Sequence, residues 1–174
     1  MADVQASLTK LANRVSSRTA LRISAVALAL ELAIAATTFL PGAPLLPQDL
    51  PLLLFPGIFV VHFRSVVLLA ASPRPSLRAL WGRIPWQASV AFVALFFTCW
   101  FIAGGAISQI GGQPTERNGQ FFLDDHGTLI PVSHGAYLHA IVLSQRIFTL
   151  IPAVFYALGV IANLAALSQE PLPS

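Results

Sequence analysis

ASVAFVALFFTCWFIAGGAISQI, residues 88–110, contains no Asp, Glu, Lys or Arg, and it decides the solvent in which this chain folds. As a helix rising ~1.5 Å per residue it is about 34 Å long, enough to cross a hydrocarbon core of ~30 Å. Backbone polar groups find no water in lipid, so a crossing segment is either a helix or part of a closed barrel. The apolar runs of this chain are dominated by Ala and Leu and lack the dyad alternation of a barrel strand. Helix is the reading.

Working outward, three more runs of similar length occupy residues 23–40, 52–71 and 147–167. Hydrophobic residues make up 56% of the chain and charged residues 10%, against about 45–50% and about 25% in a soluble domain. The expected fold is therefore all-α: a four-transmembrane-helix bundle filling residues 23–170 as a single membrane domain, preceded by a basic segment at 1–22. The first run exceeds the ~7–15 residues of a signal-peptide core, carries Glu31 at mid-run and has a poor cleavage signal after it, so it is expected to stay as an anchor. Cys99 is the single cysteine and lies inside the third run, which excludes an internal disulfide.

Basic residues are unevenly placed. Lys10, Arg14, Arg18 and Arg22 precede the first run, and Arg74, Arg78 and Arg83 separate the second from the third. Residues 41–50 hold none, and 111–135 hold only Arg117. Positive residues mark the cytoplasmic side, which predicts a multi-pass protein of the bacterial cytoplasmic (inner) membrane with both termini inside and the 41–50 and 111–135 connections outside. Val4, Leu8, Leu11 and Val15 fall in one arc of a helical wheel, flanked by a stripe of Lys10, Arg14, Arg18 and Arg22. Such a segment lies on the inner leaflet with its cations at lipid headgroups, or serves simply as a topology signal. Trp81 and Trp86, interleaved with Arg74, Arg78 and Arg83, fit interfacial anchoring to lipid rather than nucleic-acid binding.

Three ionisable residues fall within the runs: Glu31, His62 and Arg64. A charge there is costly and demands a partner or water. Counting from inner ends near Arg22 and Ala71 gives depths of ~13, ~13 and ~10 Å, so Glu31 can meet one of the other two. Bidentate geometry favours a Glu31–Arg64 pair, with His62 turned to another helix or a small cavity. The functional reading is a proton relay or ion pathway; the structural one, favoured here, is a register-fixing ion pair.

The most distinctive polar stretch is GGQPTERNGQFFLDDHGTLIPVSHG, residues 111–135. Gln120 to Leu123 and Thr128 to Val132 are β-prone and flank Asp124-Asp125-His126-Gly127, which predicts an extracytoplasmic β-hairpin. Ser133 suits an N-cap for a helix from His134 to Leu167 whose first turns stand above the membrane, with Arg146 at the outer boundary. Asp124, Asp125, His126, His134 and His139 are the candidate metal ligands, yet their spacing fits no finger or HExxH pattern. His134 and His139 sit ~140° apart on a helix. The competing reading has the aspartates closing the turn and the histidines at the surface. No metal or other cofactor is expected, and no catalytic constellation is legible: GxSxG is absent, and Gly104-Gly105 and Gly111-Gly112 lack the setting of a phosphate loop. Gly104 and Gly105 are expected to permit close helix approach.

The loop resembles one found in a group of uncharacterised small bacterial integral membrane proteins with four predicted spans. The resemblance rests on NGQFFLDDHG, Asn118 to Gly127, followed by Ser133 and Tyr137; the group tends to read N-G-Q-Y, a Leu, N-N-H-G, then a Ser and a Tyr. Phe121 replaces its Tyr, and Asp124-Asp125 replace its paired Asn. The resemblance implies a four-span layout and no particular activity. The leading expectation of function is an interaction or assembly component of a membrane complex, partnered by lipids and by another membrane protein or further copies of itself. The alternatives are a small ion or solute transporter using Glu31, His62 and Arg64, and a metal-binding membrane enzyme or sensor using the loop His and Asp residues; an enzymatic role ranks lower.

Overall fold

A computed structural model describes residues 16–42, 44–47, 49–61, 64, 82 and 84–167. Helix α1 spans Ser17–Thr37. It opens on Ser16, whose extended backbone lets its hydroxyl accept from Thr19 N at 3.1 Å, satisfying one of the orphan donors of the first turn. At the other end Thr37 and Thr38 donate their hydroxyls to the carbonyls of Ile34 (2.7 Å) and Ala35 (2.6 Å), so the last turn meets part of its own hydrogen-bonding demand. Pro41 follows and cannot extend the helix.

The second apolar run gives α2, the shorter helix Leu50–Val61, which begins as a 3-10 turn at Leu50–Leu53 with proline in its first turn. Arg64 is helical too, and the rest of that run lies outside the described residues. Helix α3 is Trp86–Gln109, entered through Pro85. Helix α4, His134–Leu167, has 34 residues and is thus about 51 Å long, well beyond a ~30 Å core. Its start matches the sequence expectation, for Ser133 Oγ accepts from Ala136 N at 3.2 Å and Ser133 O from Tyr137 N at 3.0 Å. Among the described residues α1, α3 and α4 are each long and apolar enough to cross a membrane.

Helix α4 lies between α1 and α3 and joins two apolar clusters. One gathers Ala35 of α1, Cys99 and Ala103 of α3, and Leu150 and Val154 of α4. The other gathers Ala27 of α1, Ile58 and Val61 of α2, and Tyr156 of α4. The buried face of α1 runs through Ser17, Ala20, Ser24, Ala27, Glu31, Ile34 and Ala35, a three-and-four spacing rich in small side chains. Small residues let helix backbones approach where lipid supplies no hydrophobic drive to associate. One close approach is at Gly159, where an added Cβ would stand 2.6 Å from Val61 Cγ1 and 2.9 Å from Ser24 Oγ. Gly104 and Gly105 make no close approach within this chain: a Cβ at either meets no atom of the described residues within 4 Å, because they lie away from the α4-facing side held by Cys99, Ala103 and Ala106.

Between α3 and α4 the chain forms a three-stranded antiparallel meander, β1 Gln113–Arg117, β2 Gln120–Asp125 and β3 Thr128–Pro131. The expected hairpin is its β2–β3 half. The additional strand arises at Asn118-Gly119, where φ values of 53° and 74° make the two-residue turn whose twist suits a hairpin. The second turn is also tighter than expected. Asp125 pairs with Thr128, so His126 (φ 51°) and Gly127 (φ 92°) alone reverse the chain.

Candidate functional site

The polar groups within the helix bundle are held on the faces of α1, α2 and α4 that meet one another. Glu31 is fully buried, and no described residue offers a hydrogen bond to either of its carboxyl oxygens. Arg64, also buried, donates from Nη1 to Asn163 Oδ1 at 2.7 Å and from Nη2 to Ser17 Oγ at 3.0 Å. Asn163 in turn donates to Gly159 O at 2.7 Å, which turns its carbonyl toward the guanidinium. The expected Glu31–Arg64 pair therefore does not form. Positions 17 and 31 of α1 lie about 21 Å apart along the helix axis, and Arg64 sits at the Ser17 end. The depth count placed Arg64 well inside the span because it took the apolar run to end near Ala71. The neutral partners Ser17 and Asn163 instead hold Arg64 at the start of α1. His62 lies outside the described residues.

Beside Glu31 in the bundle, Tyr156 donates its hydroxyl to the Leu54 carbonyl, where the 3-10 turn passes into α2. Gly57 is the residue that leaves room for this ring: a Cβ there would collide with the Tyr156 hydroxyl.

At the far end of α1 two neighbouring side chains of α4 tie down the 38–47 connection. Gln145 Nε2 donates to Leu46 O at 2.7 Å and to Pro47 O at 3.2 Å. Arg146 donates to Thr38 O at 2.7 Å and to Thr38 Oγ1 at 3.2 Å, with its guanidinium 4.4 Å from the Phe39 ring centroid. A cation at the C-terminus of α1 also complements the helix dipole. Arg146 therefore sits at the C-terminal end of α1, partway along α4. Gln145, Thr38 and Ser17 escaped notice as functional polar groups. Gln145 and Ser17 stand beside basic residues and Thr38 at a helix end, so position carried the signal, not composition.

The loop residues do not converge. Asp124 Oδ1 accepts from Gly127 N at 2.7 Å and closes the turn, so the structural reading holds for this one of the two aspartates. Asp125 Oδ1 lies 3.9 Å from His126 Nε2, and the His126 side chain is fully exposed. His134 stacks on Phe121 with ring centroids 4.7 Å apart, and Tyr137 meets the same ring at 4.9 Å. Phe121 thus docks the sheet on the first turns of α4. His139 is exposed. Among the described residues no three of the His, Cys, Asp or Glu side chains are placed to share a metal ion.

Of the expected headgroup contacts, Arg18 and Arg22 are exposed on the first turns of α1, and Trp86, 70% exposed, begins α3. Lys10, Arg14, Arg74, Arg78, Trp81 and Arg83 lie outside the described residues. No protein-family model, curated protein or solved structure matches this chain.

Proposed function

We propose that this chain is a four-span component of a bacterial inner-membrane complex, with both termini cytoplasmic and α3 as its partner-facing helix. Trp100 carries the reading. It is 60% exposed on α3 and about 21 Å along the axis from Trp86, a depth at which an indole N–H facing hydrocarbon finds no water. No described residue accepts a hydrogen bond from it; its ring only stacks on Phe96 of the same helix. Tryptophan normally sits at the membrane–water interface with its N–H satisfied. A neighbouring helix that offers an acceptor and covers the ring relieves that cost.

The rest of the exposed face fits the same role. Trp86, Val90, Val93, Phe97, Trp100, Gly104 and Ile107 alternate by four and three residues and are all exposed, the spacing of a helix–helix seam. The arginine distribution supports the orientation, and the NGQFFLDDHG loop supports membership of the four-span group. The transport reading lacks support for a shared site, since Glu31 lies about 21 Å along α1 from Ser17, where Arg64 is bound. The metal reading loses its ligand cluster.

Cysteine crosslinking in native membranes tests the proposal, in a Cys99→Ala background because Cys99 is buried. Phe97→Cys, Trp100→Cys and Ile107→Cys are expected to give one discrete adduct. Native mass spectrometry then tells a second copy from a different protein. A chain that stays monomeric and uncrosslinked at all three positions refutes it.

A further inference from the structure

Glu31 stands where the two apolar clusters of the bundle meet. Ala27, one turn before it, packs with Ile58, Val61 and Tyr156; Ala35, one turn after it, packs with Cys99, Ala103, Leu150 and Val154. The carboxyl is fully buried there, and among the described residues neither oxygen has a hydrogen-bond partner. The groups able to answer it are engaged or distant. Tyr156 gives its hydroxyl proton to the Leu54 carbonyl. Arg64 is bound to Ser17 and Asn163, about 21 Å away along α1. Arg146 is bound at Thr38, about 10 Å away in the other direction. The titratable groups in the two flanking clusters are Tyr156 of α4 and Cys99 of α3; the others on α4, His134, Tyr137, His139 and Arg146, lie toward its first turns, and α2 contributes none between Leu50 and Val61. No cation faces Glu31 among the described residues.

An ionised carboxylate without cation or donors is strongly disfavoured in a low-dielectric interior, whereas a neutral acid loses far less on leaving water. We propose that Glu31 is a proton-binding site: it holds H⁺ as a neutral carboxylic acid while α1, α2 and α4 are packed together, and releases it only to water that enters when they part. On release the O–H bond breaks, its electron pair stays on the carboxylate and the proton passes to the entering water. The contacts that must loosen are identifiable, because Gly57 against Tyr156 and Gly159 against Val61 and Ser24 close the packing on the Ala27 side of the carboxyl. This inference is independent of the docking role given to α3.

Infrared spectroscopy of the full chain in phosphatidylethanolamine–phosphatidylglycerol vesicles tests it. The chain contains three glutamates, Glu31, Glu116 and Glu170, so side-chain ¹³C-glutamate labelling isolates their bands. At neutral pH the expected spectrum has one protonated-acid C=O stretch that moves with the label, exchanges slowly in D₂O and vanishes in Glu31→Gln. Labelled glutamate that appears only as carboxylate at neutral pH overturns the proposal, and this measurement needs only the wild-type chain. Glu31→Gln, which mimics the neutral acid, is expected to leave the unfolding equilibrium within about threefold of wild type; a loss of a hundredfold or more means the native group is ionised and overturns it as well.

Discussion

Gly159→Ala places one methyl group at the point where α4 crosses α1 and α2. Its Cβ would lie 2.6 Å from Val61 Cγ1, 2.9 Å from Ser24 Oγ and 3.5 Å from Ser24 Cβ. Carbon atoms in good contact are about 3.5–4.0 Å apart, so α2 must retreat by roughly 1 Å or Val61 must leave its rotamer. Ser24 cannot simply turn aside without giving up its 2.8 Å bond to Ala20 O. Overpacking of this kind costs about 1–3 kcal/mol, and the better helix propensity of alanine returns at most ~1 kcal/mol. The net expectation is a loss of about 1–2 kcal/mol, a factor of about 5–30 in the folded population. Gly105→Ala is the matched control: a Cβ there meets no atom within 4 Å, leaving only the propensity gain, so the same chemical change is expected to have the opposite sign. Reversible unfolding in mixed micelles, followed by helicity, measures both. Val61→Ala removes the closest atom and should recover at least half of the Gly159→Ala loss in a double-mutant cycle. If the two alanine variants agree within ~0.5 kcal/mol, or Val61→Ala shows no coupling, the close-packed crossing is wrong.

Arg146→Ala removes two hydrogen bonds to Thr38 and the Phe39 contact; a loss of about 2–3 kcal/mol is expected, with faster hydrogen exchange confined to residues 38–47 and partial recovery in Arg146→Lys. Asn163→Ala takes an acceptor from the buried Arg64 guanidinium, a loss of about 1–3 kcal/mol, whereas Asn163→Asp keeps an acceptor and should cost less in the same unfolding assay. Phe121→Ala undocks the sheet from His134 and Tyr137: amide protection should fall in β1–β3 and stay unchanged in α1 and α3, and Phe121→Tyr should behave as wild type.

The three long helices α1, α3 and α4 were legible in the length of their apolar runs, and Ser133 signalled the start of α4 at His134, whereas the second run gives only Leu50–Val61 among the described residues. The first strand was overlooked although Asn118-Gly119 is a strong two-residue turn signal. The hydrophobic alternation that marks a strand begins only after that turn, and the polar Gln113–Arg117 stretch has little of it. The tightness of the second turn was hidden for a similar reason. His126 adopts a positive φ that a histidine seldom takes, and only the pairing of Asp125 with Thr128 reveals it.

Vertical register between helices was the part that the sequence left open, and it governs every statement about the buried polar groups. The length of an apolar run limits where a span begins and ends only loosely, since extra residues can tilt, continue as surface helix or form a 3-10 turn such as Leu50–Leu53. What fixes depth is where polar side chains find partners: Arg64 at Ser17 and Asn163, Tyr156 at the Leu54 carbonyl, Gln145 at Leu46 and Arg146 at Thr38. Each bond joins elements far apart in sequence, so no local pattern predicts it. Three of the four depend on a residue of α4 and the fourth ends on Asn163 of the same helix, which makes α4 the ruler against which α1 and α2 are set. A substitution that shifts α4 by one turn, about 5.4 Å, would break every one of these bonds except that of Arg64 to Ser17. Glu31 alone makes no demand on that register, because among the described residues it has no bond to lose.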